Sequence, residues 1–236
     1  MKNQISLGEL LAEFIGSMFL VMAAVSPMIL FVEVLETHIG VALIANALAV
    51  AFVLYALIEI FGNVSGAYFN PVVAIVMAFE RKCGGMCCIS RRCIALKTLL
   101  FIPIQIIGGV AGIVLTHLMF YGEVGGLLFV SDIVRNDYIY FGEIIGTFIL
   151  VFAILALVKT KSSRIPLIIG LLVGGQIMAT SSTMFANPQV TIARMFTNSI
   201  AGIRPFDGLI FIAMQLIGAL LAYAVYKLIF SKKGEI

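Results

Sequence analysis

The chain has 236 residues, of which 62% are hydrophobic and only 11% are charged, and its mean hydropathy is +1.15. Soluble domains carry about 25% charged residues, so this composition excludes a protein that lies wholly in water. The formal net charge of +3 is too small to indicate nucleic acid as a partner. All four cysteines lie between Cys83 and Cys93, which argues against a disulfide scaffold.

Six long apolar segments follow one another along the chain. The bilayer core offers no water, so a segment crosses it as a helix of about 20 apolar residues or as part of a closed barrel. The apolar runs are continuous rather than alternating, which indicates helices. The first run is too long for a cleaved signal peptide and no small-residue cleavage site follows it. The predicted spans are residues 10–32, 40–61, 94–121, 138–158, 165–180 and 206–230.

Lysine and arginine predict the orientation of these spans, because both are enriched on the cytoplasmic side of membranes. With a cytoplasmic N-terminus, the inside segments hold twelve of the 15 Lys and Arg residues. The outside segments hold only Arg135, Arg194 and Arg204. We therefore expect a multi-pass protein of the cell (inner) membrane, in contact with lipid, with both termini in the cytoplasm.

The chain is expected to form a single membrane domain, residues 1–236, built from two related halves. The halves are residues 1–121 and 138–230, and each contains three predicted spans. Because three crossings are an odd number, the second half must be inverted relative to the first. The matching segments are residues 12–17 (AEFIGS) with 142–147 (GEIIGT), and residues 101–108 (FIPIQIIG) with 211–218 (FIAMQLIG).

Each half also contains a short apolar segment that opens with Asn-Pro, at residues 70–79 and 187–197. As a helix, each rises about 15 Å, half of the bilayer core. Asn is a favourable N-cap and Pro suits the first helical turn, so each motif fixes a helix start. If both helices begin at the midplane, their positive dipole ends meet there and repel cations. Matched interruptions in inverted halves predict a permeation site. The motif residues are Asn70, Pro71, Val72, Asn187, Pro188 and Gln189.

Together these features resemble the aquaporin (major intrinsic protein) family over essentially the whole chain. The family usually has Asn-Pro-Ala twice, whereas Val72 and Gln189 occupy the third positions here. The resemblance implies an all-α membrane fold with six transmembrane helices and two re-entrant half-helices. It also implies a homotetramer with one pore in each subunit, which passively conducts water and small neutral solutes without a cofactor.

The selectivity filter implied by the resemblance falls on Val50, Gly175, Met184 and Val190, when positions are counted without gaps from the two asparagines. Water-selective members have an aromatic residue, a His, a small residue and an Arg there, and this chain lacks the aromatic, the His and the Arg. We expect a wider and less polar filter, since a guanidinium supplies five donors and a fixed charge. The pattern resembles glycerol-type filters and the Arg-less, arsenic-associated bacterial branch. Candidate solutes are therefore glycerol-like polyols and undissociated metalloid acids.

Two intramembrane carboxylates, Glu13 and Glu143, occupy equivalent positions in the two halves. Such groups are costly in the membrane and indicate function, and proton coupling in a secondary transporter is one alternative. The family resemblance implies instead that each accepts backbone N–H groups from a re-entrant loop. We favour this structural interpretation, because a proton-coupled carrier would not need two symmetric braces.

Arg194 lies four residues beyond Val190 and so shares its helix face. It is either a displaced cation in the outer vestibule or an arginine that extends to the extracellular interface. We favour the interface, because the sequence names no partner. His38 and His117 lie near extracellular ends and are expected to be solvated.

The cysteine cluster and the remaining polar residues predict no metal site and no catalytic set. The spacing of Cys83, Cys87, Cys88 and Cys93 does not match paired zinc ligands. Soft thiolates suit trivalent arsenic or another soft ion, but reduced cytosolic thiols are the favoured interpretation. The alternatives to a channel are a proton-coupled secondary transporter, a membrane enzyme and a poorly conducting structural member of the family.

Overall fold

The computed structural model describes residues 5–80, 91–135 and 137–230, and this part of the chain is helical without a strand. The helices are α1 (Leu7–Met28, continued by the π-helical turn Ile29–Val34), α2 (Ile39–Phe61), α3 (Pro71–Phe79), α4 (Arg91–Met119), the short α5 (Tyr121–Val124), α6 (Asp137–Lys159), α7 (Ile165–Ala179), α8 (Pro188–Arg194) and α9 (Pro205–Phe230).

Five of these helices are long and apolar enough to cross a membrane, namely α1, α2, α4, α6 and α9. The fifth predicted span, residues 165–180, corresponds to α7, which is apolar but has 15 residues and so rises only about 22 Å. It ends at Ala179 because the chain then leaves the helix to form the loop before Asn187. The segment after Asn187 is also shorter than predicted, since α8 ends at Arg194 rather than at residue 197.

The bundle has an apolar exterior and a polar interior. Leu99, Phe141 and Leu220 are 64–67% exposed on the outer faces of their helices. In contrast, Gln105 and Gln215 are completely buried. This distribution suits a hydrocarbon solvent, in which apolar side chains face outward and polar groups must find partners inside.

The two halves pack in the same way. Helix α1 packs on α4, and α6 packs on α9. These contacts are close because glycine lies at the crossing points: a Cβ on Gly108 would lie 2.4 Å from the Phe14 carbonyl oxygen, and one on Gly218 would lie 2.5 Å from that of Ile144. Small residues permit such backbone contact between helices in membranes.

The helix connections define two sides of the bundle. The near side carries the start of α1 and the end of α9, and the Lys97 ammonium contacts Glu9 there at 2.6 Å. The far side carries residues 120–135, which form backbone hydrogen bonds to the segment after α8. Of these bonds, Ser131 N–H to the Met195 carbonyl is 2.8 Å long. The cavity described below lies between the two sides.

Candidate pore

Asn70 and Asn187 meet at the centre of the bundle, where α3 and α8 begin. The Asn70 side-chain oxygen accepts the Val72 N–H at 3.0 Å, and that of Asn187 accepts the Gln189 N–H at 3.1 Å. Each asparagine is therefore the N-cap of its half-helix, with Pro71 or Pro188 in the first turn.

Each asparagine also holds the loop of the opposite half. The Asn70 amide donates to the Ala186 carbonyl at 2.9 Å, and the Asn187 amide donates to the Phe69 carbonyl at 2.8 Å. One N–H of each amide is used in this way. The second N–H of each forms no hydrogen bond among the described residues, and both residues line the central cavity.

The two loops before the asparagines have the same unusual backbone. Ala67 and Phe69 have φ of 51° and 47°, and Met184 and Ala186 have φ of 44° and 45°. These residues stand three and one positions before each asparagine, so each loop contains left-handed residues instead of being simply extended. Left-handed backbone costs about 1–2 kcal/mol per non-glycine residue, which means that other contacts must hold the loops.

Glu13 and Glu143 supply those contacts. Glu13 is fully buried and accepts the Tyr68 and Phe69 N–H groups at 3.0 and 2.8 Å. It also accepts the Ser65 hydroxyl at 2.6 Å and the Gln105 amide at 2.7 Å.

Glu143 repeats this arrangement in the second half. It accepts the N–H groups of Phe185 and Ala186 at 2.9 and 2.8 Å, and the Gln215 amide at 2.6 Å. Neither carboxylate lines the cavity. Their oxygens are occupied by the loops and glutamines, so the geometry is that of a brace and not of an exposed proton carrier.

A cavity of about 730 Å³ runs along the middle of the bundle. Glu59 and Ser163 line it on the near side, and Arg194 lines it on the far side. Most of the remaining wall is aliphatic, as in a typical site for small molecules that has a few placed polar groups.

Three of the four predicted filter residues, Val50, Met184 and Val190, line this cavity and are buried. Gly175 does not, and this part of the prediction is wrong. It lies exposed on α7, and a Cβ there would meet nothing within 4 Å. Val173 and Ile177 line the cavity instead. Residues two apart on a helix differ by about 200° in direction, so the gap-free count selected the opposite face.

The third positions of the two Asn-Pro motifs point away from the cavity. Val72 packs in a core cluster with α6 and α9. Gln189 is fully buried, and its amide donates to the Phe69 carbonyl at 3.2 Å. A Cβ on Gly109 would lie 2.2 Å from the Gln189 side-chain oxygen, so Gly109 makes the space that this large residue occupies. Neither departure from Asn-Pro-Ala therefore obstructs the cavity.

Arg194 is buried within the protein, and the prediction that it extends to the membrane interface is wrong. It is 7% exposed, its Nε donates to the Ala201 carbonyl, and its guanidinium carbon lies 3.6 Å from the centre of the Phe185 ring. The side chain lines the far end of the cavity. The fold of the segment after α8 provides these partners, which the sequence did not reveal.

Asn46 is a polar residue of the cavity that sequence reasoning missed. Its amide donates to the Ala23 and Ala24 carbonyls at 3.2 and 2.9 Å, and the residue lines the cavity one helical turn from Val50. A single asparagine within the second apolar segment was the only available signal.

The histidines and cysteines differ in part from expectation. His38 is exposed and caps α2, but His117 is fully buried. It lies 2.8 Å from both the Leu127 carbonyl and the Thr197 hydroxyl, because residues 125–135 fold back over the end of α4.

Cys93 is buried and disulfide-bonded, so it is not the free thiol that was predicted. Cys83, Cys87 and Cys88 lie outside the described residues.

Arg135 fixes the far-side loop around the cavity mouth. Its guanidinium donates to the Gly202 carbonyl at 2.9 Å and to that of Ile200 at 3.1 Å. Its backbone N–H donates to Asp207 at 2.7 Å. Burial lowers the pKa of Arg135, and the nearby carboxylates of Glu143 and Asp207 oppose this shift.

A bundle with an apolar exterior, a central cavity and two half-helix starts at its middle defines a membrane channel. A sequence model of the major intrinsic protein family matches residues 1–186. Aquaglyceroporin AqpS of Rhizobium meliloti (strain 1021) is 35% identical to the chain over 217 residues, which cover 92% of this chain and 87% of the relative. Probable aquaporin PIP2-7 of Oryza sativa subsp. japonica is 26% identical over 247 residues, covering 96% and 79%. Aquaporin TIP2-3 of Zea mays is 27% identical over 228 residues, covering 94% and 87%.

The chain therefore belongs to the major intrinsic protein family. It is a multi-pass membrane channel for water and small solutes such as glycerol, and it is not an enzyme.

Proposed function

We propose that the chain conducts neutral solutes larger than water, such as glycerol and undissociated metalloid acids, through a pore that passes Asn70 and Asn187. The observation that carries this proposal is the apolar ring of Val50, Ile177, Met184 and Val190, which we define as the filter ring. None of these side chains has a hydrogen-bond donor or a charge. The ring therefore leaves more room, and fewer polar contacts, than a filter that contains an arginine. The relative named aquaglyceroporin supports the same solute class.

Asn70 and Asn187 give a passing solute two amide N–H groups beyond the filter ring. They replace part of the hydration that the solute loses in the ring. Ions lose more favourable hydration energy than neutral solutes do, because placing a charge at the bilayer centre costs at least about 2.5 kcal/mol on insertion scales. The start of α3, with its partial positive charge, adds a barrier to cations.

The organisation of the channel in the membrane follows from the lysine and arginine distribution. We place the near side in the cytoplasm and the far side outside the inner membrane, with both termini cytoplasmic. By family resemblance, four copies of the single domain 1–236 assemble, each with its own pore.

The test compares wild type with Val190→Arg in proteoliposomes by stopped-flow light scattering. Restoring a guanidinium to the filter ring is expected to narrow it, and so to reduce glycerol permeability more than water permeability. Val64→Arg is the control, because Val64 is exposed and does not line the cavity. The proposal is wrong if wild type passes water but not glycerol, or if Val190→Arg leaves the glycerol-to-water ratio unchanged.

A further inference from the structure

The filter ring has polar groups on both of its sides. Asn70 and Asn187 lie towards the centre of the bundle. Arg194 and Asn46 lie towards the far side, each one helical turn from a member of the ring: Arg194 from Val190 on α8, and Asn46 from Val50 on α2. Four helical residues correspond to a displacement of about 6 Å along each helix.

Arg194 is held in place while keeping hydrogen-bonding capacity for a ligand. Its Nε is bonded to the Ala201 carbonyl and its guanidinium stacks on Phe185. The two terminal nitrogens form no hydrogen bond among the described residues, and none of the ion pairs found there involves Arg194. Those nitrogens are not among the fully buried atoms that lack a partner, so they retain accessible surface, and the residue lines the cavity.

Asn46 supplies the complementary group. Both carbonyls that it contacts are bonded to its Nδ2 atom, which leaves Oδ1 without a partner among the described residues. This oxygen also retains accessible surface, and the residue lines the cavity. Arg194 thus offers N–H donors and Asn46 offers an acceptor, and both side chains are held on helices of the bundle.

We propose that Arg194 and Asn46 form a binding station for small, neutral, oxygen-rich solutes at the far entrance to the filter ring. The guanidinium donates to hydroxyl or acid oxygens of the solute, and Asn46 Oδ1 accepts a hydroxyl proton. Before a hydrated polyol enters the filter ring, these groups replace part of its bound water. After it leaves the ring, Asn70 and Asn187 replace these groups as its hydrogen-bonding partners. The filter ring is then a short apolar barrier between two polar sites. This inference rests on the proposed function, because it names the residues that admit the same solutes.

The variants that test this station are Arg194→Met, Arg194→Lys, Asn46→Leu and Arg204→Gln. Met keeps the length of the side chain and its packing on Phe185 but removes all donors and the charge. Loss of hydrogen bonds to a charged group is expected to lower the glycerol-to-water permeability ratio about tenfold. Arg194→Lys keeps a charged donor and should restore most of the ratio. Asn46→Leu should lower it about threefold, since a neutral bond is lost.

Arg204→Gln is the matched control. Arg204 is also on the far side, but its side chain is 40% exposed, pairs with Asp207 and does not line the cavity. Its glycerol-to-water ratio should equal that of wild type. Water permeability, measured in the same vesicles, reports whether each variant forms an open channel.

The station is disproved if Arg194→Met forms a water-permeable channel whose glycerol-to-water ratio stays within about twofold of wild type, a change too small for a lost charged hydrogen bond. If Arg194→Met does not conduct water, Asn46→Leu provides the test. An unchanged glycerol-to-water permeability ratio in Asn46→Leu would also disprove the station. Wild-type vesicles that admit no glycerol would instead contradict the proposed function itself.

Discussion

At the scale of single residues, Glu13 and Glu143 show why an intramembrane charge need not be part of a transport cycle. Each accepts two backbone N–H groups from a loop that contains left-handed residues, and each also accepts a glutamine amide. Removing such an acceptor leaves buried donors unpaired, at a cost of about 1–3 kcal/mol for each one. The carboxylates therefore stabilise the conformation that presents Asn70 and Asn187 to the cavity.

We predict that Glu143→Ala and Glu13→Ala lower the melting temperature in detergent and abolish glycerol flux, because each releases a pore loop. Wild-type flux should not respond to an imposed pH gradient, since Glu13 and Glu143 are bonded to the loops and do not line the cavity. Thermal unfolding and stopped-flow flux with and without the gradient check both statements. A flux driven uphill by the gradient would instead identify a proton-coupled carrier.

A pair of neighbouring residues on α7 tests the corrected filter. Ile177→Phe adds bulk inside the cavity and should obstruct the solute. We expect glycerol flux to fall at least tenfold, which corresponds to an added barrier of about 1.4 kcal/mol. Gly175→Phe adds the same bulk on the exposed face, where no neighbour lies within 4 Å of a Cβ, and should leave flux unchanged. Stopped-flow measurements on equal amounts of incorporated protein decide the matter. If Gly175→Phe reduced glycerol flux and Ile177→Phe did not, Gly175 rather than Ile177 would belong to the filter.

At the scale of helices, the same glycine contacts and glutamine hydrogen bonds occur in both halves. Gly108 makes a close backbone contact with α1, and Gly218 makes the equivalent contact with α6. Gln105 and Gln215 lie three residues before these glycines and reach the two carboxylates. One face of α4, and the same face of α9, thus sets both the helix spacing and the position of the re-entrant loop.

We predict that Gly108→Ala and Gly218→Ala each destabilise the protein by about 1–3 kcal/mol, the usual cost of overpacking. The added methyl meets a backbone oxygen, which cannot move aside as the end of a side chain can. Gly175→Ala is the control and should be neutral or stabilising, because alanine is the better helix former. Thermal unfolding in detergent measures all three; equal melting temperatures would show that these helix contacts relax freely.

Helices were also the features that the sequence predicted best. Long apolar runs determine spans directly, and the Asn-Pro motifs determined where α3 and α8 begin. The side of a helix that faces the cavity was harder to predict, because Gln176 is the one polar side chain of α7 and Gly175 carries no polarity signal. The positions of Arg194 and His117 depended on loops that fold back onto the bundle, and no local pattern encodes those contacts.

At the scale of the whole molecule, Cys93, the cysteine among the described residues, lies apart from the pore. Cys93 packs with Ile94 and Ala78 near the start of α4, and it does not line the cavity. We predict that replacing all four cysteines by serine leaves the glycerol and water permeability of vesicles unchanged at equal incorporation. A large loss of flux would show that the cysteine-containing segment contributes to conduction.

The crossed hydrogen bonds between the two asparagines and the opposite loops also bear on biosynthesis. The Phe69 carbonyl accepts from an amide that lies 118 residues later in the chain. At roughly 5–20 residues per second of translation, the first re-entrant loop waits about 6–24 s for its partner. During that interval the loop lacks the hydrogen bonds that the side chains of Asn187 and Gln189 donate to the Phe69 carbonyl. The ribosome thus delivers a first half that is inserted but unfinished, and the centre of the molecule forms only when the second half arrives.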